Sequence, residues 1–581
     1  MPVTSFEEKS SFPLLRMNQR GQSIGAVKAQ RWARRLSKRV EEIAASHPAA
    51  DRDNIRHTLF CCSSRRSIDC KEVLFVAAPQ PFSESELSLL RVLLKRKVRF
   101  IETTLMKSRA FFGLAVVLAA SAVHGAPPSW PGFRGPNSSG VAANATPPVK
   151  ISPTNGVLWK IPVPWSPSSP CLWGDRLFLT AFADDELQTR CYLRRDGKLS
   201  WSRAVKVEKL ETFHRTESSP AASTPVTDGE RVVSYFGSFG LVTYDLDGKE
   251  LWRHPLPTAL SLGGYGTATC PLIAGNLVLV SHDREDASSL LAVDLNTGQK
   301  VWETPRPDSY GSFGTPIFWQ NNETAEIVVP GSLRLKGYAL KTGKEDWMVE
   351  GVTAFVCTTP VTGNGLLFFA AWSDGKEDAP LPTWEKFLDE HDKNKDGVVS
   401  LDEFDEASRD YYRGYDVNRD GKIDKSDWDQ LTTAVAKGEN VMVAVRPGGQ
   451  GNITATHVAW KTTRGLPYIA SPVFYDGRVY LVKNGGMISC LDAKNGKPYY
   501  LQERFGAEGN YYASPVAADG RIYVASVSGK LTVVKTGGEK PQILHQADFG
   551  ERIYATPALA ENNLYLRTRS ALYAFGPEVH R

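Results

Sequence analysis

The chain has 581 residues, 42% hydrophobic and 23% charged, so it is long enough for several domains or one large repeat array and has the composition of a soluble protein. Its net charge of +5 is unevenly divided: residues 1–105 hold 19 basic and 11 acidic residues, and the remainder holds 50 and 53. The bulk is therefore slightly acidic, which excludes the electrostatic footprint of a nucleic-acid-binding protein.

Residues 1–105 read as a basic leader, disordered or lying upstream of the true start, with no repeat and no clear motif. Met106-Lys107-Ser108-Arg109 then precedes a 13-residue apolar run ending at Val123, followed by small residues. That order over 106–125 is a secretory signal peptide, and the run is too short for a membrane span. The expected location is periplasmic or extracellular. Beyond residue 125 five cysteines remain, Cys171, Cys191, Cys270, Cys357 and Cys490, none adjacent and none in a CxxC pair. They read as small buried hydrophobes, with no metal–thiolate or redox site.

From there a period governs the chain. Ser169-Pro170, Thr224-Pro225, Cys270-Pro271, Thr315-Pro316, Thr359-Pro360, Ser471-Pro472, Ser514-Pro515 and Thr556-Pro557 each open a hydrophobic run. Successive prolines are 55, 46, 45, 44, 112, 43 and 42 residues apart. A fixed spacing of this size marks stacked supersecondary units that cannot bury their apolar faces alone. Within a unit, Thr224–Phe236 reads strand, Asp-Gly turn, strand, and Gly240–Trp252 reads strand, turn, strand with a terminal Trp. The second turn recurs at Asp294–Trp302, at Lys341–Trp347, before Trp201, and at Asp492–Tyr499 with Tyr in place of Trp. Glycine supplies the tight turn and the Trp wedges between neighbouring units.

Four strands per unit predict an all-β, eight-bladed β-propeller of four-stranded antiparallel blades, with seven blades as the alternative. The last unit has three strands before the chain ends. Gly156–Ile161 reads as the spare fourth strand that closes the ring and removes an exposed edge. The propeller should occupy 126–373 and 438–581.

The long interval holds two calcium-loop sequences. Asp392, Asn394, Asp396, Val398, Ser400 and Glu403 occupy the ligand positions of a twelve-residue EF-hand loop, with Gly397 at the sharp turn. Asp416, Asn418, Asp420, Lys422, Asp424 and Asp427 repeat the pattern, with Asp where Glu would supply two oxygens. The first loop is expected to hold Ca²⁺, a hard ion wanting six to eight oxygens, and the second to hold it more weakly or to accept Mg²⁺. Val399 and Ile423 share a loop position and should pair. Residues 374–437, with 18 acidic and 10 basic residues, form a small α-helical EF-hand pair inserted in blade five. Calcium is expected to order it.

Aromatics recur just ahead of the blade-opening prolines: Tyr265, Tyr310, Phe313, Phe355, Tyr468, Tyr511, Tyr512 and Tyr554, with His214 and Arg552 in the same loops. Tyr265, Tyr310, Tyr468, Tyr512, Tyr554, His214 and Arg552 are the candidate ligand-binding set, lining one mouth for a protein, peptide or sugar ligand. No carboxylate pair or Ser/His/Asp arrangement marks a catalytic centre.

The phrase Ala-x-Asp-x-x-Thr-Gly-x-x-x-Trp resembles the repeat of the quinoprotein (PQQ-type) propellers, and Trp130–Asn137 with Ser223–Arg231 resembles secreted bacterial PQQ-binding-like propellers. That likeness implies a PQQ-dependent alcohol or sugar dehydrogenase as one alternative. PQQ itself is not expected here, because the adjacent cysteines that cover the quinone in many such enzymes are missing and the calcium ligands lie in the insertion. A likeness to the eight-bladed lipoprotein of outer-membrane β-barrel assembly implies a cofactor-free scaffold, although the signal lacks a lipobox cysteine. The chain reads as an exported, calcium-binding, monomeric scaffold for a ligand or protein rather than an enzyme, or if an enzyme a quinoprotein dehydrogenase, with no membrane span or nucleic-acid partner.

Overall fold

A computed structural model describes residues 128–577 apart from 285–286, 310–311, 322–323, 374–380, 406–408, 410–411 and 419. The leader, the signal segment and Tyr310 lie outside the described residues. Among the described residues no helix is long and apolar enough to cross a membrane.

Eight sheets follow one another around an axis, each with a four-stranded antiparallel core. The blades open at Cys171, Val226, Leu272, Ile317, Val361, Val473, Val516 and Ala558, each just after one of the eight prolines. Their second and third strands are almost wholly buried, as in Leu277–His282 and Ser289–Asp294, because each is covered by a blade on both faces. Blade eight takes its fourth strand from the other end of the chain. Val157–Pro162 pairs antiparallel with Ala571–Phe575, in the register Trp159 to Ala574 and Pro162 to Ala571.

The residue before each proline explains the repeat. The Ser169 N–H donates to Thr224 Oγ1, Thr224 to Cys270 Sγ, Cys270 to Thr315 Oγ1 and Thr315 to Thr359 Oγ1. Thr359 donates to Ser471 Oγ, Ser471 to Ser514 Oγ, Ser514 to Thr556 Oγ1, and Thr556 back to Ser169 Oγ. These eight bonds, 2.9–3.1 Å to oxygen and 3.2 Å to the sulfur, form a closed circuit around the axis. Each buried N–H at a blade opening thus finds its partner in the next blade, as buried donors must. Proline follows because the next position needs no donor.

The terminal tryptophans join blades at the periphery. Indole Nε1 of Trp159, Trp201, Trp252, Trp302 and Trp460 donates to the carbonyls of Arg194, Leu246, Leu295, Leu340 and Ala493 in the following blade, at 2.8–3.1 Å. Each ring lies on the turn glycine of that next blade. A Cβ at Gly298 would stand 2.5 Å from the Trp252 ring, and one at Gly343 2.3 Å from the Trp302 ring. Glycine is required there by the neighbouring blade's indole as well as by its own turn. In blade six the register pairs Tyr500 with Cys490, as Trp201 pairs with Cys191, so the wedge is Tyr500, not Tyr499. Tyr500 is 5% exposed and Tyr499 is 38% exposed. In blades one to four the wedge falls four residues after the turn glycine, and counting from Gly496 gives position 500.

Ahead of the closing strand, residues 130–142 cross the axial channel on the side toward which the innermost strands run. Trp130 pairs with Leu172 of blade one, Pro131 O accepts from Thr227 of blade two, and Gly140 O accepts from Ala517 of blade seven. Arg134 is fully buried within this strap and its Nη2 donates to Pro472 O of blade six. Desolvation pulls its pKa down to about 9.

The insertion leaves blade five between its second strand, Leu366–Ala371, and its third, Val441–Val445. Three helices are described within it: α1 (Trp384–His391), α2 (Tyr412–Tyr415) and α3 (Lys425–Lys437). Phe387, Phe404, Tyr412 and Trp428 form its own small core around Val399 and Ile423.

Candidate functional site

The circuit of hydroxyls encloses a cavity of about 430 Å³ on the axis, in the size range of small-ligand sites. Ser169, Thr224, Thr315, Thr359, Ser514 and Thr556 form its waist and Phe133 of the strap borders it. Tyr265, Phe313, Tyr468, Tyr512 and Tyr554 also line it, on loops that precede the blade-opening prolines. Four of the sequence-derived ligand residues therefore share one cavity. His214 stands behind them, its ring stacked on Tyr265 at 5.6 Å and 10°. Arg552 reaches the rim, with Nη1 donating to the Tyr554 hydroxyl at 3.1 Å. Tyr511 instead faces the core between blades six and seven, packed on Phe505 with its hydroxyl on Ala507 O.

Phe133, Glu217, Asn510 and Cys357 also line the cavity and were not anticipated. They come from the strap and from three inter-blade loops, so only ring closure brings them together. Among the described residues Glu217 is the one charged side chain in the lining, its carboxylate 3.4 Å from the Tyr512 hydroxyl. Burial foremost, with that carboxylate adding to it, pushes the Tyr512 phenol up, so Tyr512 is neutral. The lining thus offers aromatic faces, hydroxyl and amide edges, and a single carboxylate.

The loop that carries His214 and Glu217 is latched by Glu211. This carboxyl is 3% exposed, and Oε2 accepts from Thr267 N and Oγ1 at 2.9 and 2.6 Å. Thr267 lies between two cavity residues, Gly266 and Ala268. Desolvation pushes the Glu211 pKa up to about 8, although the Thr267 bonds oppose it. The folded state then binds the proton more tightly than the unfolded state. The stability that Glu211 contributes is fully present below about 4.5, the ordinary glutamate value, and is lost as pH rises to about 8. We expect a decline of up to about 1.4 kcal/mol per pH unit across that window, and Glu211→Gln should flatten it. Urea unfolding between pH 5 and 8 checks this; equal slopes in both proteins would refute it.

In the insertion, the sequence-derived metal positions fall in two loops joined by a two-residue ribbon, Val399 opposite Ile423 and Ser400 opposite Lys422. Asp392 Oδ1 accepts from Lys395 and Asp396 N–H, and Oδ2 from Gly397 N–H at 3.0 Å. Glu403 Oε1 accepts from Lys393 and Asn394 N–H, and Oε2 from Ser400 N–H and Oγ. Asn394 and Asp396 accept from Asp396 and Val398 N–H. The second loop repeats the pattern. Asp416 Oδ2 accepts from Gly421 N–H, and Asn418 and Asp420 accept from Asp420 and Lys422 N–H. Asp427, 0% exposed, accepts from Asn418 and Asp424 N–H, while Asp424 caps α3. Gly397 and Gly421 sit at φ +85° and +86°, a turn closed to most side chains. Among the described residues no three acidic, histidine or cysteine side chains converge as a metal cluster; the loop carboxylates are turned onto backbone N–H groups.

A family model described as outer membrane protein assembly factor BamB matches residues 149–312, 194–354 and 412–577, more than half of the chain. No curated protein matches. Similar solved structures include BamB from Moraxella catarrhalis, at 12% identity and TM-score 0.46, with 73% of this chain and 97% of that chain covered. They also include the quinohemoprotein alcohol dehydrogenase from Comamonas testosteroni, at 11% identity and TM-score 0.48, with 78% and 82% covered. The repeats that build the blades are those of the outer membrane protein assembly factor BamB family, and the chain belongs to that family.

Proposed function

We propose that this chain is an exported, calcium-binding propeller that works as a scaffold, holding a partner or small ligand at its axial mouth. The observation that carries this reading is the lining of the cavity: six aromatic rings about a circle of hydroxyls, with one carboxylate among the described residues. Flat apolar faces beside hydrogen-bonding edges suit a neutral ligand with the same two properties, such as a sugar ring or an aromatic side chain of a peptide. The assembly factor described by the family model accords with a scaffold role.

The lining does not fit the quinone of the PQQ-type dehydrogenases. PQQ is a tricarboxylic acid, and among the described residues none of the lining side chains is cationic, while Glu217 repels an anion. Arg552, whose Nη1 donates to the Tyr554 hydroxyl, is not among the side chains that line the cavity. Transferring several carboxylates into such a cavity without counter-charge is strongly unfavourable.

The all-oxygen donor set of each insertion loop, with glycine at the sharp turn, fits a hard divalent cation. On binding, Asp392, Asp396 and Glu403 would exchange backbone N–H groups for the ion, as Asp416, Asp420 and Asp427 would in the second loop. Calcium then acts as a staple for the insertion.

The test is retention on an array of neutral oligosaccharides and aromatic peptides. Tyr512→Ala and Tyr554→Ala should each weaken retention roughly tenfold, about 1.4 kcal/mol per anchor, in protein that still folds. Retention that both variants leave unchanged would remove the mouth as the binding surface.

A further inference from the structure

The insertion reaches the mouth. α2 lies against the 262–264 turn that leads into Tyr265, and the contact is glycine on glycine. A methyl group built on Gly263 would stand 3.9 Å from the Gly414 Cα, and one built on Gly414 would stand 3.8 Å from the Gly263 Cα. Among the described side chains none lies between the two glycines to absorb a displacement. Two residues after Gly263, Tyr265 lines the cavity, stacked on His214 and edge-on to Phe313 at 6.3 Å.

The opposite side of α2 is tied to both loops. Tyr412 is 4% exposed, its hydroxyl donates to Gly421 O at 2.8 Å, and it lies 3.3 Å from Val399 O. Asp416, the first acid of the second loop, follows α2 directly, and its N–H donates to Tyr412 O at 3.1 Å. A continuous set of packed contacts thus runs from the second loop through α2 to a residue of the cavity wall.

We infer that ion occupancy of the second loop and access to the axial cavity are coupled through α2 and the Gly414–Gly263 contact. This inference rests on the calcium reading above. An ion draws the Asp416 and Asp427 carboxylates off the Gly421 and Asn418 N–H groups. The backbone at Gly421 shifts with them, and the Tyr412 hydroxyl carries that shift to α2. α2 then presses the 262–264 turn and holds Tyr265 against His214, which narrows the mouth. By linkage, an occupant of the cavity that favours the same position of Tyr265 raises ion affinity by the same factor. The coupling is read at the far end of these contacts, in the cavity itself.

Cys357 provides that reading. It lines the cavity and is partly exposed, whereas Cys171, Cys191, Cys270 and Cys490 are buried. The probe is iodoacetamide on the full chain, with calcium or with chelator, scored by mass spectrometry of the Cys357 peptide. Calorimetry on the same samples reports calcium uptake. We expect calcium to slow Cys357 alkylation at least about fivefold, the lower end of site–site couplings. Gly414→Leu should take up calcium and lose the slowing. Tyr412→Phe, which keeps the ring and loses the hydroxyl, should take up calcium and show a reduced effect. Calcium uptake with an unchanged alkylation rate, or full slowing in both variants, would overturn the coupling and leave the calcium reading standing. No calcium uptake by the unaltered chain would overturn both.

Discussion

Replacing Asp283 with Asn should cost about 3–5 kcal/mol of stability, the loss expected when one partner of a buried ion pair is removed. Asp283 and Arg306 are 0% and 1% exposed, and the pair is bidentate: Nε to Oδ1 at 2.9 Å and Nη2 to Oδ2 at 3.0 Å. Arg306 also reaches Pro330 O and the Tyr338 hydroxyl of blade four, and Ser309 Oγ donates to Asp283 Oδ2. The pair therefore fastens the end of blade three's second strand to the loop that enters blade four, and that loop goes on to supply Phe313 to the cavity. Asparagine keeps the shape and leaves a guanidinium buried without an anion. Asp283→Leu combined with Arg306→Met should recover most of the loss, because the charge penalty disappears with both partners. Urea unfolding measures both; a loss below about 1 kcal/mol in the single variant would show that the buried guanidinium finds another anion.

The second large effect concerns the insertion. Glu403→Gln should weaken calcium at the first loop by at least about tenfold, ~1.4 kcal/mol, since the last position of such a loop supplies two oxygens. The second loop ends in Asp427, one methylene shorter, and should be the weaker site in the unaltered protein. Calorimetry should therefore show two unequal uptakes, with the tighter lost in Glu403→Gln and the weaker kept. At calcium one hundred times the dissociation constant, a bound ion should add about 2.7 kcal/mol to the insertion. Two equal sites, or an unaltered titration in the variant, would remove the assignment of Glu403.

Much of the fold is legible along the chain because each unit repeats its instructions. The small residue before each proline, the turn glycine and the terminal Trp mark the blade, and eight marks give eight blades. The closing role of Val157–Pro162 could also be read, from a final unit one strand short. The physical purpose of the marks could not. Nothing in Thr224 or Thr556 reveals a donor in one blade and an acceptor in the next, because that circuit exists only once the ring is closed. Likewise a turn glycine looks like a local requirement until the preceding blade's indole is seen resting on it. Tyr500 shows the opposite failure: the spacing from Gly496 was available, and its exposed neighbour Tyr499 was read in its place. At the mouth, Tyr265, Tyr468, Tyr512 and Tyr554 could be found by their place before the prolines, whereas Phe133, Glu217 and Cys357 share no pattern and converge only in three dimensions. The contact of Gly414 with Gly263 joins residues some 150 positions apart through an insertion, and no periodicity marks it.

The proposed scaffold role requires an axial cavity that binds neutral ligands and rejects an anionic cofactor. Its most direct test is equilibrium dialysis of the purified chain against PQQ, with and without calcium, followed by absorption spectroscopy and a dye-linked alcohol oxidation assay. The predicted result is a chain free of quinone absorption and of oxidation in both conditions. Stoichiometric quinone retained in the cavity, with alcohol-dependent dye reduction that Tyr512→Ala abolishes, would contradict it.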